Sequence, residues 1–392
     1  KKLFFNDTAT TEIYTVLTSS AASDVYKRQL FEWLRSWFLT GFPWLYLGYA
    51  WIDTPAAALA PLGGVWLVSS LVAIIAVLIG SGIKNRSTGH LALAVFLFAT
   101  TYLLPTNWTE PAGKPIKIAL IQPNIPQSLK WSPDQYWNNL DRLMQLSRQT
   151  EATWIVWPET AIPKLIDRAI YEIDDFLDEL ESRNQTLISG FPMKTLDAKN
   201  NRWLYQNSMG VLTGTPSFYQ KQRLVPFGEY LPFEQQLRGL IEFFNLPMSN
   251  FSLPLSVQTA LEVDQYRLAS SICYEIAYPE LVRRLAENSD LLITLSNDTW
   301  FSGSHAPDQH LQMARMRALE NGRWLIRGTN NGLTAVVRPN GEVDSRLDRE
   351  LAGVLEAEIY PMQGRTPYQN AGILPAIAFN LSLLFLALIS RS

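Results

Sequence analysis

The chain has 392 residues and a formal net charge of −3, and it is 47% hydrophobic but only 18% charged. That length exceeds one ordinary domain, and the near-neutral balance without a basic stripe excludes a nucleic-acid partner. A single cysteine, Cys273, excludes an internal disulfide, and thirteen Trp point toward a membrane interface, where that residue concentrates.

Residues 1–29 run from Lys1-Lys2-Leu3 to Lys27-Arg28-Gln29 and are mostly polar. They lack the apolar core of roughly 7–15 residues that a signal peptide carries. The segment resembles translated sequencing-adapter read-through, and it is set apart as non-native; a disordered native terminus is the alternative. Residues 30–109 read as a partial transmembrane domain. Within it, 30–53 is rich in aromatics (Trp33, Trp37, Trp44, Tyr46, Tyr49, Trp51) and broken at Gly41-Phe42-Pro43. Residues 55–80 are almost free of charge and long enough to cross a bilayer, which takes ~20 apolar residues. The run 91–104 is shorter, and a buried core helix is its alternative reading. Residues 369–392 form the expected C-terminal transmembrane helix, with an apolar run over 373–390. Lys84, Arg86 and Arg391 would mark the cytoplasmic side, leaving residues 110–368 on the far side of the membrane.

From Ile116 the texture changes to short apolar runs alternating with amphipathic stretches. Strands are expected at 116–122, 153–157, 187–190, 208–212, 268–273, 291–296 and 333–338, with a hairpin turn at Pro339-Asn340-Gly341. Helices are expected at 133–151, 165–183, 280–288 and 309–321. Mixed elements over about 250 residues imply one large α/β or α+β domain.

Three positions in this domain carry chemistry. Cys273 ends an apolar strand; it reads either as a small buried hydrophobe or as a nucleophile, which needs a base and a cation close by. Glu159 follows the strand-like Ile155-Val156 through Trp157-Pro158, a common place for a site residue in layered α/β folds; the plainer reading is an acid at a helix start. Lys221 reads as a surface lysine or, ahead of Leu224-Val225-Pro226-Phe227, as one drawn inward. The three histidines, His90, His305 and His310, accompany no Gly-x-Ser-x-Gly elbow, so a Ser-His triad is not expected. No metal-ligand spacing or phosphate loop is present, and no cofactor is expected.

Trp157-Pro158-Glu159, Lys221 and Cys273-Tyr274-Glu275 resemble the Glu-Lys-Cys signature of the nitrilase, or carbon–nitrogen hydrolase, superfamily. Leu224 to Tyr230, Ile125 to Trp131, Ser296 to Phe301 and Gln312 to Glu320 narrow this to a resemblance with its membrane branch, the apolipoprotein N-acyltransferases. The resemblance runs from about Leu30 to the C-terminus. It implies an α/β fold, an αββα four-layer sandwich with flanking transmembrane helices, whose catalytic domain (110–368) lies on the periplasmic side of a bacterial inner membrane. It implies acyl transfer from a phospholipid donor to a diacylglyceryl-cysteine lipoprotein acceptor, through a thioester on Cys273. Glu159 would serve as acid and base, and Lys221 with the Tyr274 N–H as oxyanion donors. Glu229 and Glu275 would support the site, and Trp131 would meet the lipid. A monomer is expected. Aromatic segments 231–233 and 243–248 read either as arms dipping into the interface or as core. The family begins with further membrane helices before Leu30, so the chain is expected to be a fragment. A membrane-tethered amidase and a non-catalytic scaffold are the competing readings.

Overall fold

The structure is a computed structural model that describes residues 20–226, 228–230, 251–301 and 303–389. Phe227 and the two aromatic arm segments lie outside the described residues, as do residues 1–19 of the adapter-like stretch. Contacts divide the chain into two units. One comprises residues up to Trp108 with Leu319–Gly322 and Arg365 onward; the other comprises Thr109–Ala318 with Arg323–Gly364.

Among the described residues, the second unit carries two six-stranded sheets, beside a two-stranded ribbon of Glu110–Pro111 and Met362–Gln363. In chain order the sheet strands are β1 (Ile116–Gln122), β2 (Trp154–Val156), β3 (Thr186–Asp197), β4 (Arg202–Val211), β5 (Ser217–Gln220) and β6 (Leu261–Val263). Then come β7 (Tyr266–Ile272), β8 (Leu291–Ser296), β9 (Leu325–Thr329), β10 (Thr334–Val337), β11 (Val343–Leu347) and β12 (Gly353–Ile359). The first sheet has the order β12-β1-β2-β3-β4-β5 and the second β11-β10-β9-β8-β7-β6.

Each sheet has a parallel centre of three strands, β1-β2-β3 in one and β7-β8-β9 in the other, flanked by antiparallel strands. Parallel neighbours need a crossover, usually a helix laid on the sheet face. Tyr136–Ser147 and Asp174–Ser182 serve the first sheet, and Pro279–Ala286 and Ala306–Asn321 the second. The helical pattern expected over 165–183 is split into Ile166–Ala169, one 3₁₀ turn, and Asp174–Ser182.

Three apolar cores define the layers. Ile118, Leu120, Trp154, Val156 and Met209 of the first sheet share one core with Leu268, Ile272, Ile293, Leu295 and Ile326 of the second. Ile121, Ile155 and Leu187 pack instead against Leu140, Leu143, Phe176 and Leu180 of the first sheet's helices. Ala269, Leu292 and Leu325 pack against Val282, Leu311, Ala314 and Ala318. Because successive strand residues face opposite ways, β2, β8 and most of β1 are buried on both faces and read as largely apolar runs, Lys117 of β1 being the exposed exception.

The first unit is helical. Among the described residues one helical stretch, Pro55–Asn85, is long and apolar enough to cross a membrane; Thr88–Leu103 and Leu374–Leu383 are shorter apolar helices. The aromatic stretch from Leu30 is not one span: a helix Ser20–Arg35 ends there, followed by 3₁₀ turns at Phe38–Thr40 and Leu47–Trp51. The long stretch is interrupted at Gly63 and Gly64, whose φ/ψ leave the helical region. The Val65 N–H donates to Glu320 Oε1 at 2.7 Å. Gly64 sits at φ +69, ψ −175, and a Cβ there would stand 2.6 Å from the Tyr368 ring. That conformation is open essentially to glycine alone. Gly64→Ala should therefore destabilise this unit by about 1–3 kcal/mol or more. Thermal unfolding in detergent would register this as a lowered midpoint.

Candidate active site

The carboxyl ends of the parallel strands converge, as ligand sites do in open α/β sheets. Glu159 follows β2, Lys221 follows β5, Cys273 follows β7 and Asp298 follows β8. The structure brings Glu159, Lys221 and Glu229 into one buried network. Lys221 Nζ donates to Glu229 Oε1 at 2.8 Å and lies 3.6 Å from Glu159 Oε1, with all three side chains almost fully buried. Burial works against the charge on Lys221, but Glu229 and then Glu159 outweigh it and hold the ammonium well above its usual pKa.

Asn207 of β4 joins these groups. Its Nδ2 donates to Glu159 Oε1 at 2.8 Å and to Glu229 Oε1 at 2.9 Å, while its carbonyl accepts the Lys221 N–H at 2.8 Å. Glu229 Oε2 accepts the Val225 N–H at 2.9 Å, closing the loop back on itself. Lys130 is a second buried ammonium, donating to the Glu159 carbonyl at 2.8 Å. Burial draws its pKa down to about 8, with Glu159 and Cys273 pulling the other way.

Cys273 is partly exposed and takes the left-handed conformation, φ +53. It opens a short 3₁₀ turn, Cys273–Ala277. Burial pushes its thiol up to about 12, helped by the Glu159 carboxylate and opposed by Lys221. The resting sulfur therefore carries its proton at neutral pH and needs a base to become a nucleophile.

Glu275 ties the two loops together. Its Oε1 accepts the N–H of Gln222 at 2.6 Å and of Arg223 at 3.0 Å. Its Oε2 accepts the Ile272 N–H at 2.8 Å and the Tyr219 hydroxyl at 3.1 Å. The residue before Cys273 and the residues after Lys221 thus hang on one carboxyl. Tyr274 is buried, its ring edge-on to Tyr278 at 5.3 Å. Trp131 follows Lys130 directly, and its indole N–H is buried without an acceptor.

The structure thus brings Glu159, Lys221 and Glu229 together and sets Glu275 across the loops that carry Lys221 and Cys273. Sequence reasoning did not single out Asn207 or Lys130. The signal for Asn207 was a polar residue inside a strand pattern, one position ahead of the expected strand at 208–212. Among the described residues no cluster suits a metal ion, and the donors present, two ammonium groups among carboxylates already paired with them, do not make a metal site.

Residues 117–367 match the family model for carbon–nitrogen hydrolases, and residues 28–78 match that for the apolipoprotein N-acyltransferase N-terminal domain. The chain is similar to apolipoprotein N-acyltransferases from Pseudomonas paraeruginosa (44% identity, covering 92% of this chain and 72% of the relative) and Azotobacter vinelandii (45%, covering 92% and 71%). A crystal structure of a carbon–nitrogen hydrolase from Helicobacter pylori G27 is a more distant likeness, with 19% identity, a TM-score of 0.45, and coverage of 68% of this chain and 94% of that one. Fold and site thus define a carbon–nitrogen hydrolase-type enzyme. Within that superfamily the chain belongs to the apolipoprotein N-acyltransferases, and it is an acyltransferase.

Two outcomes follow from this geometry. A Cβ at Gly190 would lie 2.6 Å from Thr160 N and 2.8 Å from Glu159 Cα, both main-chain atoms. Gly190→Ala should cost about 1–3 kcal/mol through overpacking and displace the Glu159 loop, lowering both the unfolding midpoint and the rate of acyl transfer. The raised thiol pKa predicts that alkylation of Cys273 by iodoacetamide keeps accelerating from pH 7 through pH 10. A plateau near pH 8.5, where an ordinary thiol titrates, would contradict it.

Proposed function

We propose that Cys273 carries the acyl group as a thioester between two half-reactions. In the first, Glu159 takes the thiol proton and the sulfur attacks an ester carbonyl of a phospholipid. The C–O bond then breaks, and Glu159 returns the proton to the departing lysophospholipid hydroxyl. In the second, the N-terminal amine of a diacylglyceryl-cysteine lipoprotein attacks the thioester, Glu159 takes the amine proton, and the C–S bond breaks. The proton goes back to sulfur, restoring the thiol. Lys221 Nζ and the Tyr274 N–H stabilise the tetrahedral oxyanion of both steps. Glu229 orients Lys221, Glu275 holds the two loops in register, and Trp131 meets the lipid substrate.

The observation that carries this reading is the buried Lys221–Glu159–Glu229–Asn207 network beside Cys273, whose thiol pKa burial and Glu159 raise. A resting thiol with a raised pKa calls for a base within the site, and Glu159 is the carboxylate whose charge bears most strongly on it. Family membership favours an amine acceptor over water, which sets the amidase reading aside. A thioester must also be kept from water, and an active site at a membrane surface meets that need while admitting lipid.

The apolar stretch Pro55–Asn85 supports embedding in the bacterial inner membrane. Lys84 and Arg86 at its end favour a cytoplasmic position for that end, with residues 110–368 as the periplasmic catalytic domain. We read residues 30–109 and 369–392 as the membrane parts and the working form as a monomer.

Incubation of detergent-purified protein with phosphatidylethanolamine, followed by intact mass spectrometry, tests the first half-reaction. The expected result is a gain of one acyl mass that hydroxylamine removes and that Cys273→Ser lacks. A parental protein that stays unmodified would overturn the thioester. Lys221→Met should load about 10²–10³ more slowly, the typical loss for one oxyanion donor; loading at the parental rate would remove Lys221 from that role.

A further inference from the structure

Behind the nucleophile lies a polar cluster that none of the steps above uses. Ser296, Asp298, His310 and Arg327 are all at most 1% exposed. They come from the end of β8, the turn after it, the helix Ala306–Asn321 and β9. Asp298 Oδ2 accepts Arg327 Nη2 at 2.7 Å, and its Oδ1 accepts the Ser296 hydroxyl at 2.6 Å. Burial alone would raise this carboxyl's pKa, but Arg327 and then His310 hold it well below the carboxylate range. The carboxylate is also tightly seated: a Cβ at Gly332 would fall 2.3 Å from Asp298 Oδ2.

His310 spans from this cluster to the nucleophile. Its Nδ1 is 3.0 Å from Asp298 Oδ1 and 3.2 Å from Arg327 Nη2. Its Nε2 is 3.0 Å from the main-chain oxygen of Cys273. A carbonyl has no proton to give, so Nε2 carries the hydrogen and donates it. The carbonyl it grips belongs to a residue at φ +53. A non-glycine residue there is strained and persists only where its surroundings impose it.

The Cys273–Tyr274 peptide is planar and trans, so its C=O and N–H point in opposite directions. A group that fixes the carbonyl therefore also fixes where the Tyr274 N–H points. We propose that His310, braced by Asp298, is a positioning residue that aims the Tyr274 N–H at the developing oxyanion. The inference rests on the thioester reading above. It assigns the directing of one oxyanion donor to a side chain that holds Cys273 by its main-chain oxygen, in a cluster whose Ser296 also hydrogen-bonds the thiol.

Two reactions of the same sulfur separate this role from a purely structural one. Loading from phosphatidylethanolamine passes through a tetrahedral oxyanion, whereas alkylation by iodoacetamide does not. His310→Gln keeps a side-chain N–H that reaches the carbonyl; His310→Met matches Gln in length and has no donor. In single-turnover loading at saturating lipid, the Met variant should be about 10²–10³ slower, with its alkylation rate close to parental. The Gln variant should recover most of the loading.

Loading and alkylation falling together in the Met variant, or loading left at the parental rate, would overturn the proposal. Where thermal unfolding shows that the Met variant does not fold, His310→Asn takes its place, since its donor stops one carbon short. Slow loading with parental alkylation then supports the role, and parental loading refutes it. A parental protein that never loads would overturn the thioester reading and this inference with it; a parental protein that loads while the variants match it would overturn the inference alone.

Discussion

The site depends on keeping one ammonium charged where water does not reach it. Lys221 is about 1% exposed, and an unpaired ammonium at that depth would shed its proton. Glu229 at 2.8 Å supplies the counter-charge, and Glu159 at 3.6 Å adds to it. Two carboxylates in such a space would repel one another, and the Asn207 amide relieves this by donating to both. A buried charge network contributes little net stability once desolvation is counted. Its value lies in holding a cation in a fixed place before any substrate arrives.

The fold supplies the places. Each sheet is built around three parallel strands with two crossover helices on its outer face, and the apolar inner faces meet in a shared core. That arrangement leaves strand carboxyl ends as the natural positions for polar groups that must be buried yet converge. Glu275 shows how the two sheets are kept in step at this edge. One carboxyl accepts N–H groups from the loop after β5 in one sheet and from the last residue of β7 in the other. Burial pushes that carboxyl up to about 7, opposed first by the charge on Lys221 and then by the three main-chain N–H donors.

Much of this was legible in the residues. The strands at 116–122 and 291–296 were read with the bounds they have, because strands buried on both faces are continuous apolar runs. Glu159 and Cys273 stood out as polar or reactive groups placed right after such runs. Five strands escape the sequence pattern: β5, β6 and β11 are short, the central β9 is broken by the buried Arg327, and β12 is interrupted by Glu356 and Glu358. Lys130 stands in the run Ile125 to Trp131 without a chemical signal of its own, and only tertiary packing buries it. His310 was weighed as a possible triad member and set aside on sequence grounds. Its link to the nucleophile runs through a main-chain oxygen 37 residues away, which no local pattern encodes.

The protonated resting state of Cys273 has one more consequence, for durability. Peroxides and disulfides are attacked by thiolates, and the sulfur climbs the ladder from sulfenic to sulfonic acid in proportion to its thiolate fraction. A thiol whose pKa stands near 12 offers almost none at neutral pH. The Cys273 sulfur is thus slow to oxidise through the same burial that keeps its proton in place. In this sequence, which holds one cysteine, that protection falls on the thiol for which exchange with a neighbouring cysteine offers no repair.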